Sequence, residues 1–178
     1  MIKLIACLLA CITIAGCTTP PVDPVAGKID ATITINARPG YIQRYQSEIG
    51  DQKILKADFK MKKMQPSERW GPTMMYCLHD KNNIVYTCVR LTRHFGKPAL
   101  FIQEVVKQFN TAEPEMKPTD YVLPESELIH VQANIEGTSV QFNVNDIALS
   151  PHKLEQATTD FSVTCSSMIC SVDILDVD

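Results

Sequence analysis

The stretch TMMYCLHDKNNIVYTCVRLTR, Thr73 to Arg93, holds two runs of β-forming residues around Asp80-Lys81-Asn82-Asn83. Asparagine tolerates the positive φ of a tight turn, so the pattern predicts a hairpin centred on Asn82 and Asn83. With that centre Cys77 falls opposite Cys88. Directly opposed strand residues have Cα atoms about 4.5 to 5.5 Å apart, within reach of a disulfide. The bond would pin the hairpin.

The same period of two recurs on both sides. In ILKADFKMKKM, Leu55, Ala57, Phe59 and Met61 alternate with Lys56, Asp58, Lys60 and Lys62, the mark of a half-buried strand. KIDATITIN alternates likewise through Ile29, Ala31, Ile33 and Ile35. A second hairpin is expected in LIHVQANIEGTSVQFNVNDIAL, with Ile129, Val131, Ala133 and Ile135 facing in, a Glu136-Gly137 turn, then Val140, Phe142 and Val144. DFSVTCSSMICSVDIL supplies a last pair, in which a Cys165 to Cys170 bond would close a short turn from Ser166 to Ile169. KPALFIQEVVKQF suits a strand through Leu100 and Ile102 better than a short helix. NTAEPEMKPTDYVLPESE, with three prolines and five acids, reads as a long surface loop.

Short strands with turn signals about every ten residues predict an all-β fold, an antiparallel sandwich or barrel. HVQANIEGTSVQFNVND resembles the strand, glycine turn, strand and asparagine ending of laminin G and other concanavalin A-like jelly-roll domains. Phe59, Gly71-Pro72, Tyr76 and Asn82-Asn83 are similar to the earlier part of that pattern, so the resemblance covers Ile54 to Val177. It implies a jelly-roll sandwich.

At the other end, Lys3 and the apolar run Leu4 to Ala15 read as a secretory signal. Twelve residues fall short of the about 20 that span a bilayer. Ile14-Ala15-Gly16-Cys17 resembles the lipobox of bacterial lipoproteins. The resemblance implies removal of residues 1–16, acyl chains on Cys17, and stable attachment through more than one chain. Thr18 stands where the family's inner-membrane retention signal has Asp, which favours the outer membrane. Residues 17–27, rich in proline, would tether a single domain over residues 28–178. Cys77, Cys88, Cys165 and Cys170 then remain, an even number in an exported chain, and two disulfides are the natural reading. Their spacings do not fit zinc.

The net charge of −3 divides unevenly: Arg38 to Lys107 holds 13 basic and 6 acidic residues, and Gln108 to Asp178 holds 2 and 12. Interleaved strands would let the halves neutralise each other; opposite faces would offer one to anionic envelope polymers. Nucleic acid is not an expected partner. The E-x-D-x-x-E strand of laminarinase-type hydrolases is absent. His79, His94, His130 and His152 form no spaced motif. Asn143, Asn145 and Asp146 are the nearest approach to a calcium site, equally suited to a hairpin end. Trp70, Tyr41, Tyr76 and Tyr121 are candidate stacking platforms for a sugar, and Tyr45 belongs with them, although core packing is the expected fate of most. The expectation is a non-catalytic, lipid-anchored envelope sandwich without cofactor that binds a protein partner or supports an envelope assembly. A carbohydrate or cell-wall binding module is the alternative, and a glycoside hydrolase the second.

Overall fold

The computed structural model describes residues 31–65, 71–94, 99–124 and 128–175. The signal segment, Cys17, the tether and Trp70 lie outside the described residues. Among the described residues thirteen strands follow one another, beginning with β1 (Ala31–Asn36), β2 (Ile42–Glu48), β3 (Ile54–Met64), β4 (Thr73–His79) and β5 (Tyr86–Arg93). Next come β6 (Ala99–Lys107), β7 (Glu115–Pro124), β8 (Ile129–Glu136) and β9 (Ser139–Val144). The short β10 (Ile147–Ala148) and β11 (His152–Lys153) precede β12 (Asp160–Ser166) and β13 (Met168–Leu175). They form two antiparallel sheets. One has the order β1-β13-β3-β8-β9-β10, with β11 also on β9; the other runs β2-β12-β4-β5-β6-β7.

The alternation determines which side chains enter the sandwich. Leu55, Ala57, Phe59, Val131, Phe142 and Val172 of the first sheet meet Tyr76, Leu78, Leu91, Ile102, Phe161 and Val163 of the second in one core. Tyr76 stands at its centre, with ring centroids 6.0 to 6.2 Å from those of Phe59, Phe142 and Phe161. Such tilted and edge-on contacts suit the ring quadrupoles. The Tyr76 hydroxyl has no hydrogen-bond partner among the described residues.

Cys77 pairs with Cys88 in the β4–β5 register and is bonded to it. Asn83 adopts a φ of 56°, as the turn chemistry requires. Asp80 organises the same turn: Oδ1 accepts from the amides of Ile84 and Val85, both at 2.7 Å, and Oδ2 from Asn82 at 3.1 Å. Burial alone would raise the pKa of this carboxyl, but these amides outweigh it and hold it below the usual value. The β8–β9 turn is centred one residue later than expected, on Gly137 and Thr138, because Glu136 and Ser139 form the closing pair. Gly137 has a φ of 61°, the left-handed conformation that a type II′ turn places at its first central residue.

Two expectations are corrected. The acidic stretch expected as a loop contains β7, which pairs with β6. An edge strand accepts proline because one row of its amides needs no partner, and the ladder shifts register beside Pro118. The second correction concerns Cys165 and Cys170. They are bonded, but β12 and β13 do not form a hairpin within one sheet. Ser167, at a φ of 53°, turns the chain from one sheet to the other, so the disulfide staples the layers together. Gly71 completes the frame where β4 begins: a Cβ there would collide with the carbonyl oxygen of Arg93.

Candidate functional site

On the six-stranded sheet the side chains facing away from the core fall into register rows. The central row is Gln46, Ser162, Cys77, Cys88 and Val105. Beside it on one flank lie Arg44, Thr164, Met75, Arg90 and Gln103, and on the other Glu48, Asp160, His79, Tyr86 and Lys107. Met75 and Tyr86 pack against Cys77, Cys88 and Val105, making a small apolar floor around the disulfide.

Cations lie over this floor. Arg44 crosses the central row to bring Nη2 within 3.0 Å of His79 Nε2 and 3.1 Å of Asn83 Oδ1. His79 is buried, and its Nδ1 lies 3.0 Å from the carbonyl of Asp80. The carbonyl can only accept and the guanidinium can only donate, so the proton belongs on Nδ1 and Nε2 is the acceptor. Burial lowers the His79 pKa, and the neighbouring Arg44 charge adds to that against the carbonyl bond and the charges of Asp160 and Asp80. Burial likewise lowers the Arg44 pKa, opposed by Tyr86 and Asp160, and raises that of Tyr86, with Glu113 adding to the rise.

Arg90 is the second guanidinium. It is half-buried, and burial lowers its pKa with no opposing carboxylate among the described residues. Its guanidinium has one hydrogen-bond partner among the described residues, the Met116 sulfur at 3.6 Å. Among the described residues the buried Oε1 of Gln103, opposite Arg90, and the Oγ of the buried Ser162 have no hydrogen-bond partner. The face therefore offers two guanidinium groups, an amide and a phenol over an apolar floor. That set suits carboxylate and hydroxyl groups spaced along an extended ligand.

The aromatic candidates separate. Tyr76 is corrected outright: at 1% exposure it is core, because its parity on β4 points it between the sheets. Tyr45 also faces inward, against Phe161. Tyr41, 67% exposed just before β2, and Tyr121, 47% exposed on β7, lie at opposite edges of the six-stranded sheet. The histidines do not converge either. His94 stacks edge-on to Phe101, His130 bonds Asp58 on the other sheet, and His152 lies 3.2 Å from Glu104 inside the sandwich. Among the described residues no three His, Cys, Asp or Glu side chains are placed to hold a metal ion. Of the calcium candidate, Asn145 is committed to structure, its Oδ1 accepting from the His130 amide at 2.9 Å.

Sequence reasoning missed Arg44, His79, Arg90 and Gln103 as a group. The signal was present in part: once Cys77 and Cys88 are known to be paired, His79, Tyr86 and Arg90 share their parity. Arg44 and Gln103 come from strands whose pairing no local pattern reveals.

No protein-family model matches this chain, and no curated protein sequence matches it. Solved structures do. The alginate lyase from Alteromonas sp. 272 superposes with a TM-score of 0.54 at 10% identity, over 89% of this chain and 90% of its own. The Crh5 transglycosylase gives 0.51 at 11% identity, over 90% and 82%. The polysaccharide lyase family 18 structure aly-SJ02 gives 0.50 at 8%, over 87% and 88%. At such identities the likeness is one of fold: a jelly-roll β-sandwich, as the resemblance to concanavalin A-like domains implies.

Proposed function

We propose that this protein binds an acidic polysaccharide along the outer face of the six-stranded sheet. It would do so as a single domain over residues 28–178, lipid-anchored through Cys17 at the bacterial outer membrane. The supporting observation is Arg90, a half-buried guanidinium in mid-sheet whose partner is a methionine sulfur rather than a carboxylate. Burying a charge without its counter-ion is costly, and an arriving carboxylate would relieve that cost. Arg44 and Gln103 extend the same surface along the sheet. A sugar polymer thereby takes precedence over the protein partner expected first, and the fold is one that also carries an alginate lyase.

Titrating the purified protein with polygalacturonate or alginate tests this, with dextran as the neutral control. Binding to the acidic polymers that weakens with salt and falls at least about tenfold, or 1.4 kcal/mol, in Arg90→Ala is the expected result. Equal binding to dextran would overturn it. A second reading, a polysaccharide-cleaving enzyme, is favoured by one observation: Glu48, Asp160, His79 and Tyr86 form a single row of proton-transfer groups. Chain shortening of the bound polymer, lost in Tyr86→Phe, would establish it.

A further inference from the structure

The outer face of the seven-stranded sheet is built differently. Asp58 of β3 lies opposite His130 of β8, and in the next row Lys56 faces Gln132, which faces Asn143 of β9. Between these rows and Asp146 of the β9–β10 turn opens a cavity of about 360 Å³. That is near the small end of the roughly 300 to 1,000 Å³ of ligand pockets, a volume for a small ligand rather than a long polymer.

Its groups have spare hydrogen-bonding capacity. Asp58 Oδ1 meets His130 Nδ1 at 2.7 Å, which leaves Oδ2 on one and Nε2 on the other. Gln132 uses its amide nitrogen on Asn134 at 2.8 Å and retains its oxygen. Lys56, Asn143 and Asp146 hold no side-chain hydrogen bond or ion pair among the described residues. Leu175, 37% exposed, adds an apolar edge. Two carboxylates against one lysine argue against an anion, and the metal-ligand set is missing among the described residues. What remains is a mixture of donors and acceptors on planar amide and carboxylate groups beside a patch of hydrocarbon. Vicinal hydroxyls, each both donor and acceptor, answer that mixture, and the C–H face of a sugar ring answers Leu175.

We infer that this cavity is a second binding site, for one uncharged sugar unit, on the sheet opposite the cationic face. The site stands on its own residues and does not require the acidic-polymer reading. The test is a two-dimensional NMR titration of the purified protein with the methyl glycosides of glucose, galactose and mannose, and with galacturonate. At least one neutral glycoside should shift the side-chain amides of Gln132 and Asn143 saturably, with millimolar affinity. Gln132→Ala and the isosteric Asp58→Asn should each weaken that binding at least about tenfold, and Arg90→Ala should leave it unchanged. The inference is overturned if no neutral glycoside moves these amides. It is equally overturned if the shifts survive both substitutions, or if galacturonate binds there more tightly than every neutral glycoside.

Discussion

Arg44 donates to His79 across 3.0 Å, and this holds only while the imidazole is neutral. Burial keeps the His79 pKa below its ordinary value, helped by Arg44. Below about pH 6.5 the unfolded chain therefore binds a proton that the folded one resists. The stabilisation is complete above that pH and is lost as pH falls through the lowered native value. Denaturation midpoints compared at roughly pH 7.5 and 5 should drop on acidification, and His79→Gln should flatten the dependence. An unchanged slope in that variant would contradict the assignment.

Tyr76→Phe should make the protein more stable. The hydroxyl is buried without a partner among the described residues, and such a group costs about 1 to 3 kcal/mol. Thermal unfolding of the variant should shift upward, with the ring contacts to Phe59, Phe142 and Phe161 intact.

Replacing Cys165 and Cys170 together by serine should cost about 2 kcal/mol, since a short loop loses little chain entropy when closed. The Cys77–Cys88 bond closes a longer loop and should be worth about 3 kcal/mol by the same reckoning. Denaturant titration reads both, and non-reducing peptide mapping should recover each pair and no crossed one.

Arg90→Met should separate stability from function. Removing a half-buried charge that lacks a carboxylate partner among the described residues should leave the melting temperature unchanged or higher. Binding to polygalacturonate should nevertheless fall at least about tenfold. Arg90→Lys should recover only part of it, because an ammonium lacks the planar fork.

Cys17→Ser should move the protein from the membrane fraction to the soluble one on cell fractionation. Full membrane retention would refute the lipid anchor.

What could be read in the sequence is what local pattern encodes. The alternation in β3, the β4–β5 turn with its disulfide and the β8–β9 pair are each set by residues a few positions apart. β7 was obscured because its prolines and acids are tolerated only at a sheet edge, a tertiary circumstance. The β12–β13 corner was read as a hairpin because a five-residue disulfide span fits either geometry; which sheet each strand joins depends on β2, β4, β1 and β3. The same non-local pairing hid the cationic face, since Arg44 and Arg90 lie far apart in the chain and meet only through β12 and β4.

The corner at Ser167 also governs when this chain can fold. Among the described residues β1 pairs only with β13 and β2 only with β12, so neither has a sheet partner there until residues 160–175 exist. Both late strands are interior, each wedged between an early strand and a middle one. Residues 31–48 thus stay without these sheet partners until residues 160–175 are available, and pairing them closes contacts of very long sequence separation, which is intrinsically slow.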